Sequence, residues 1–296
     1  MLAAQPLRRR QPTRRASTAA AADSVQGTLL GSVGSWTPAR SLFVELHRTP
    51  DMVALPPGGS CDCIITPANE QLIGTQLSYF PTGGPCPEPP PKGVSNSWGG
   101  MEAGSGMLYP TQCVDGRVHA EGGAELRAAC VALPVQELPS RDFRSGVRCP
   151  VGSAALTPAT GRLTESYRFV LHTVAPFRSD ERWEPRLLSS FIRTWDLILF
   201  LVGAKQSGRL TVAVPLLGSG ARGASIDESA SVAVKAVSHF ARQLHKGGGL
   251  VLRFAVVDNR AEAVLRAAFS SAGWPEAPPV VAGDGNRVEP RPRRVW

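Results

Sequence analysis

Hydrophobic positions along the chain form short runs that alternate with longer amphipathic stretches. Apolar or alternating runs predict strands at residues 41–47, 62–66, 167–174, 210–214 and 250–257. Apolar positions spaced three and four residues apart predict helices at residues 114–133, 187–204, 225–244 and 261–269. Because strands and helices alternate, the sequence predicts an α/β fold with a largely parallel sheet.

The link between the strand at 210–214 and the following helix is rich in glycine, and it reads Gly218-Ser219-Gly220-Ala221-Arg222-Gly223. Glycine lets backbone N–H groups approach an anion closely, and the helix N-terminus adds free donors and a positive dipole end. Ser225 and Glu228 form a capping box that fixes where this helix begins. Phosphate is the natural ligand of such a segment, although the pattern is not that of an ATP-binding P-loop. The alternative is a tight strand-to-helix turn that binds nothing.

Proline, glycine and charge indicate how the chain is divided. Proline and glycine crowd residues 80–112, so we expect a long irregular insertion over about residues 76–112. The net charge of +8 is concentrated in arginines near both ends. We therefore predict a basic tail at 1–36, one domain at 37–274 and a Pro/Arg-rich tail at 275–296. A nearly neutral body argues against nucleic acid as a partner.

The first 22 residues contain no acidic side chain and combine arginine with alanine, serine and threonine. This composition is typical of a transit peptide, which would direct the protein to a mitochondrion or plastid. The alternative is a disordered basic tail that carries no targeting signal, in a cytoplasmic or nuclear protein. No apolar run approaches the roughly 18 residues of a membrane span, so we expect no membrane association.

The cysteines predict neither disulfides nor a zinc finger. Six of them are scattered without a C-x-x-C pair: Cys61, Cys63, Cys86, Cys113, Cys130 and Cys149. We expect free thiols in a reducing compartment. A zinc site built from cysteine and histidine of the long middle loop is the alternative.

Six segments in order resemble the macro domain family: Asp62-Cys-Ile-Ile-Thr-Pro-Ala-Asn69, Val114-Asp-Gly-Arg-Val-His119, Glu121-Gly-Gly-Ala-Glu-Leu-Arg-Ala-Ala-Cys130, Cys149-Pro-Val-Gly-Ser-Ala, Phe169-Val-Leu-His-Thr-Val-Ala-Pro176 and Pro215-Leu-Leu-Gly-Ser-Gly-Ala-Arg-Gly223. The resemblance covers about residues 41–272. It implies a three-layer α/β/α sandwich with a mixed, largely parallel sheet. It also implies that ADP-ribose lies across the C-terminal ends of the strands, as ligands of open α/β sheets do.

The resemblance also implies roles for particular residues. Asn69 would contact the distal ribose, and Asp115 would orient or activate the attacking water. His119 lies one helical turn after Asp115 and would share its face, as a third candidate for catalysis. Asp51 would accept from the adenine amine. The remaining predicted ligand contacts are Ile65, Thr66, Ala68, Val114, Gly218, Ser219, Gly220, Ala221, Arg222 and Gly223.

Each of these side chains also has a purely structural interpretation. Asp115 could cap its helix, and Asn69 could be an ordinary turn residue. His119 could be a hydrogen-bonded structural group. His172, inside an apolar strand, is better interpreted as a core histidine than as a ligand.

The chain departs from the family pattern at several positions around the site. Thr66 stands where the family has its first Asn, and the glycine run before V-D-G is absent. Asn69 and Asp115 are 46 positions apart, because the long insertion falls between them. Arg222 replaces an aromatic residue, so it can pair with phosphate but cannot stack as a ring does.

Two functions from different classes follow. The first is hydrolysis of an ADP-ribosyl bond, which releases ADP-ribose from a modified protein or small molecule without a cofactor or metal. The second is a reader module that binds ADP-ribose or a related nucleotide without turnover. RNA binding is a weaker third alternative, because the body lacks a basic face studded with aromatic residues.

Overall fold

The computed structural model describes residues 32–74, 113–136, 146–204, 208–244 and 249–277. The predicted insertion at 76–112 lies outside these ranges, as do most of the two predicted tails. The described strands are β1 (Ser32–Ala39), β2 (Leu42–Arg48), β3 (Cys63–Pro67), β4 (Ala154–Pro158), β5 (Phe169–Thr173), β6 (Arg209–Pro215) and β7 (Gly249–Val256). The described α-helices are α1 (Val114–Val131), α2 (Trp183–Ala204), α3 (Ile226–Gln243) and α4 (Asn259–Ser271).

The strands form one seven-stranded sheet in the order β1-β2-β7-β6-β3-β5-β4. The five central strands run parallel to one another, while β1 pairs antiparallel with β2 and β4 antiparallel with β5. The predicted mixed, largely parallel sheet is therefore confirmed. Because β6, β3 and β5 are neighbours, the loops that follow them meet at one edge of the sheet.

Helices cover both faces of this sheet. Alternate residues of β3 show the division: Ile65 packs with α2 and α3, while Ile64 packs with Val118 and Leu126 of α1. The α2 side carries the larger core, which includes Phe191 and the side chains of α4. The predicted three-layer α/β/α sandwich is confirmed.

Helix α2 is the one helix in the described ranges that is long and apolar enough to cross a membrane by length and composition. Its side chains Leu187, Phe191, Trp195 and Ile198 are at most 1% exposed and belong to the core. Packing within the sandwich thus accounts for its apolar face.

The domain is longer at both ends than the sequence analysis predicted. Strand β1 begins at Ser32, inside the segment assigned to the N-terminal tail, and its Trp36 is 1% exposed against Phe269 at 5.1 Å between ring centroids. The Thr37 N–H donates to the Pro275 carbonyl at 2.8 Å, so the chain after α4 also joins the sheet edge. The boundaries at 36 and 275 are therefore wrong. Strand β1 was not predicted because it contains glycine and proline, which are uncommon in strands. Both are tolerated in an edge strand.

Candidate functional site

Three loops meet at the C-terminal edge of the sheet and surround the N-terminus of α1. They follow β3, β5 and β6 and comprise residues 68–74, 174–182 and 216–224. The last of these contains the predicted phosphate segment, which we call the glycine loop (residues 218–223). All the predicted site residues except Asp51 lie in or next to these loops or in α1.

The glycine loop is a compact turn that leads into α3. Gly218 and Gly223 have φ of +91° and +80°, in the left-handed region where glycine is favoured. The Gly223 N–H donates to the Gly220 carbonyl at 2.9 Å, and the Ser219 hydroxyl donates to the Leu216 carbonyl at 2.9 Å. The capping box at Ser225 is present, with the Glu228 N–H donating to Ser225 Oγ at 3.1 Å. The loop thus has the closed backbone and adjoining helix start expected of a phosphate cradle.

Asp115 lies in the first turn of α1 and is 3% exposed. Thr66, at the end of β3, donates its hydroxyl to Asp115 Oδ1 at 3.0 Å. The N-cap of α1 is Cys113, whose side chain makes no capping hydrogen bond. Asp115 is therefore not the N-cap residue, and Thr66 supplies a donor that fixes the carboxylate.

His119 lies one helical turn after Asp115 on α1, beneath the loop that follows β3. Its Nε2 is 3.8 Å from Asp115 Oδ1, and the residue is 3% exposed. Gly74 lies directly over the ring, because a Cβ at that position would be 2.6 Å from His119 Cγ. Burial lowers the pKa of His119, and Asp115 opposes this only in part. His119 is thus a buried neutral side chain, which favours the structural interpretation over the catalytic one.

Asn69 organises its own loop. Its Nδ2 donates to the Gly74 carbonyl at 3.2 Å, and its Oδ1 accepts from the Ile73 N–H at 3.2 Å. The turn interpretation of Asn69 is therefore supported. A primary amide has a second N–H and a second lone pair, so this geometry also leaves room for a ribose contact. The sequence analysis did not identify Gly74, although its φ of +74° explains why glycine stands there.

Asp51 is held by its own turn and by α1. Its Oδ1 accepts from the Val53 N–H at 2.9 Å, and its Oδ2 accepts from Arg117 Nε at 3.0 Å. An adenine amine would have to compete with Arg117 for this carboxylate. Arg117 was not singled out from the sequence, where it is simply the variable residue of V-D-G-x-x-H.

Arg222 joins the three loops. Its Nη2 donates to the Ala68 carbonyl at 3.2 Å, and its Cζ lies 4.2 Å from the centroid of the Phe177 ring. Burial lowers the pKa of Arg222, while Glu70 and Asp115 raise it. Since an arginine stays protonated in proteins, this places a fixed positive charge beside Asp115. Phe177 and Glu70 were not identified as site residues from the sequence.

The side chains of three further predicted contacts, Ile65, Ala68 and Val114, are buried or partly buried. Ile65 is 0% exposed in the core on the α2 side, so its side chain does not line the site. Ala68 is 2% exposed, and its N–H donates to the Thr173 carbonyl at 3.0 Å. Val114, the first residue of α1, is partly buried against the core on the α1 side.

A cluster of His119, Cys130 and His172 is the group of described residues that could hold a metal ion, with all ligand atoms within 4.8 Å of one another. α1 contributes His119 and Cys130, on either side of a kink at Gly123 whose φ is 67°, and β5 contributes His172. Thr157 Oγ1 lies 2.9 Å from His172 Nε2, and burial lowers the pKa of His172 to about 3. Burial also raises the pKa of the Cys130 thiol to about 11. These contacts favour a packed neutral cluster, as predicted for His172.

Comparison with known proteins identifies the family. Residues 102–233 match the model of the family described as "Macro domain". A macro domain-containing protein of Streptomyces griseus is 35% identical over 137 residues, which is 46% of this chain and 69% of the relative. The chain belongs to the macro domain family.

Other members of the family show the same relationship. A protein of Escherichia fergusonii named O-acetyl-ADP-ribose deacetylase is 33% identical over 142 residues, covering 47% of this chain and 70% of the relative. The solved structure of an Oceanobacillus iheyensis macrodomain with ADP superposes with a TM-score of 0.53 at 18% identity. That superposition covers 80% of this chain and 94% of the other, and it shows a shared fold.

Proposed function

We propose that this macro domain binds ADP-ribose and hydrolyses ADP-ribosyl bonds, releasing ADP-ribose from mono-ADP-ribosylated protein or from small-molecule derivatives. The glycine loop and the start of α3 offer the donors that a diphosphate needs. The observation that carries the hydrolytic part is the Thr66–Asp115 hydrogen bond of 3.0 Å, which fixes a carboxylate beside the loops. The relative named O-acetyl-ADP-ribose deacetylase supports a reaction at the ribose end of such a ligand.

In this proposal the protein binds the substrate through its phosphates and brings the terminal ribose towards Asp115. The carboxylate orients a water molecule for attack and takes its proton, which is ordinary general-base catalysis. Holding the water and the ribose in the right orientation supplies much of the rate enhancement, because the two reactants no longer have to meet by diffusion. No step in this scheme needs His119.

Replacing Asp115 tests whether the site is catalytic. We expect Asp115→Ala to lower the rate of ADP-ribose release from mono-ADP-ribosylated protein by roughly 100-fold or more, because the base is lost. Affinity for free ADP-ribose should stay within about threefold, since the phosphates carry most of the binding. Chromatography of the released ADP-ribose measures the rate, and calorimetry measures the affinity.

Asp196→Ala is the control, because Asp196 is 47% exposed on α2 and pairs with Arg193 at 3.4 Å. It should leave both the release rate and the affinity unchanged. Release by Asp115→Ala at the rate of the unmodified protein would exclude Asp115 as the base. Tight binding by the unmodified protein without any release would instead identify a reader.

A further inference from the structure

The order of the strands sets the direction in which the proposed ligand would lie. Its terminal ribose would lie beside Asp115, close to the end of β3, and its diphosphate would lie on the glycine loop after β6. The next strands along the sheet are β7 and then β2. Asp51 lies in the loop that follows β2, where the Thr49 N–H donates to the Val256 carbonyl of β7 at 2.9 Å. Asp51 is therefore on the side of the site that is left for the base of the nucleotide.

The Asp51 carboxylate is already surrounded by donors of the protein itself. Its Oδ1 accepts from the Val53 N–H at 2.9 Å and from the Ala54 N–H at 3.3 Å. Its Oδ2 accepts from Arg117 Nε at 3.0 Å, and Arg117 Nη2 lies 3.0 Å from the same oxygen. A carboxylate has about four acceptor positions. The protein's own donors fill these positions before a ligand binds.

Arg117 is held against Asp51 by further charges on its other side. Its Nη2 lies 3.3 Å from Oε1 of Glu121, one turn further along α1, and Glu121 Oε2 lies 3.2 Å from Arg162 Nε. An adenine amine is a neutral donor, whereas the guanidinium offers two charged donors to one carboxylate oxygen. Charge-assisted hydrogen bonds are the stronger kind, so we expect Arg117 to keep its place when a nucleotide binds.

The purine bases differ at the edge that a free carboxylate would recognise. Adenine carries an amine at C6, which donates, whereas guanine and hypoxanthine carry an oxygen at C6, which accepts. A carboxylate with a free lone pair attracts the amine and repels the oxygen. A carboxylate whose lone pairs are all taken does not distinguish the two.

We propose that Arg117 is a specificity-determining residue that removes the selection for adenine, so that the protein binds purine nucleoside diphosphate-riboses with either an amine or an oxygen at C6. This inference rests on the proposed function. It assigns the affinity to the phosphates and the terminal ribose, and it leaves the C6 edge of the base without a selective contact. The ligand class is therefore wider than ADP-ribose and its derivatives.

Calorimetry on the intact chain tests this by comparing ADP-ribose with inosine diphosphate-ribose, which has hypoxanthine in place of adenine. We expect the two Kd values of the unmodified protein to agree within about threefold. Arg117→Ala should make ADP-ribose the better ligand by roughly tenfold or more, because Asp51 regains free lone pairs and can accept from the amine. Affinity for the hypoxanthine ligand should not rise.

Two further variants show whether the gained preference depends on Asp51. Adding Asp51→Asn to Arg117→Ala should abolish the preference, because an amide can turn either its oxygen or its NH₂ group towards the base. Arg162→Ala is the matched control, since Arg162 is 77% exposed and pairs with Glu121 instead of Asp51. It should leave the ratio of the two Kd values unchanged.

Several outcomes would overturn the inference. An unmodified protein that prefers ADP-ribose by about tenfold would do so, as would an unchanged ratio in Arg117→Ala. Tighter binding of the hypoxanthine ligand by the unmodified protein would also contradict it, because Arg117 would then recognise the oxygen. The ratio is taken within one protein, so a loss of stability does not enter it. Failure of the proposed function is recognised separately, because the unmodified protein would then bind neither ligand at millimolar concentration.

Discussion

Thr66 stands where the family pattern has asparagine, and its contact with Asp115 explains this departure. Threonine in place of asparagine still supplies a donor, and its hydroxyl reaches Asp115 Oδ1 at 3.0 Å in a fully buried position. The Thr66 side chain donates to the carboxylate and is 0% exposed to solvent, so it does not face a ligand.

Removing this hydroxyl should therefore impair turnover more than binding. We expect Thr66→Val, which keeps the shape of the side chain, to lower kcat roughly tenfold while KM changes less than about twofold. The physical reason is that a buried carboxylate that loses a donor is less well fixed, at a cost of about 1–3 kcal/mol. Steady-state kinetics measure both constants, and Thr66→Ser should keep near-normal kcat. An unchanged kcat in Thr66→Val would show that the hydrogen bond has no role in catalysis.

Single residues also show where sequence reasoning stops. Asp115 and the glycine loop could be identified because they lie inside short ordered motifs. The pairing of Asp51 with Arg117 joins residues 66 positions apart, and the bond from Arg222 to Ala68 joins residues 154 apart. Such contacts depend on how loops fold over one another and on side-chain direction, which local patterns do not encode.

Among the elements, α3 follows its sequence signals most closely. The capping box was predicted at Ser225 and is present in both directions, with Ser225 N–H donating to Glu228 Oε2 at 2.9 Å.

Strand β4 was missed for a physical reason: Ala154-Ala-Leu-Thr-Pro158 is short, and neither alanine nor proline favours a strand. It forms because β5 offers it an edge to pair with.

The capping box should contribute measurably to stability. We expect Ser225→Ala to lower the free energy of unfolding by about 1 kcal/mol, because the Glu228 N–H loses its partner at the helix start. Urea denaturation measures this change. Ser231→Ala is the matched control on the exposed side of α3 and should change stability by less than about 0.5 kcal/mol. Equal effects of the two substitutions would contradict a capping role.

At the scale of the whole molecule, the sandwich was predictable because strands and helices alternate, while its limits were not. Trp36 of β1 and Phe269 of α4 close the two ends of the domain against each other at 5.1 Å. These two residues lie so far apart in the sequence that no local pattern predicts their contact. On the α1 side of the sheet, His119 and His172 are buried beside Cys130, which links folding to pH.

We expect the protein to lose stability as the pH falls below about 6.5. Burial, and then His119, lower the pKa of His172 to about 3 in the folded state, against 6.5 as its ordinary value. The unfolded chain therefore binds an additional proton below pH 6.5, and stability falls progressively until pH 3. Each such histidine contributes a slope of up to about 1.4 kcal/mol per pH unit.

Urea denaturation between pH 5 and pH 7.5 measures this slope. His172→Gln should reduce it by up to about 1.4 kcal/mol per pH unit, because one titrating group is removed. Comparing slopes cancels the loss of stability that the substitution itself causes. A slope that is the same in both proteins would show that His172 is not buried in its neutral form.

The central claim is that the glycine loop binds the diphosphate of ADP-ribose, and calorimetry with free ADP-ribose tests it most directly. The account predicts one ligand per chain with a Kd in the micromolar range, about −8 kcal/mol. Adenosine, which lacks phosphates, should bind far more weakly. Absence of any binding heat at millimolar ADP-ribose would contradict the account.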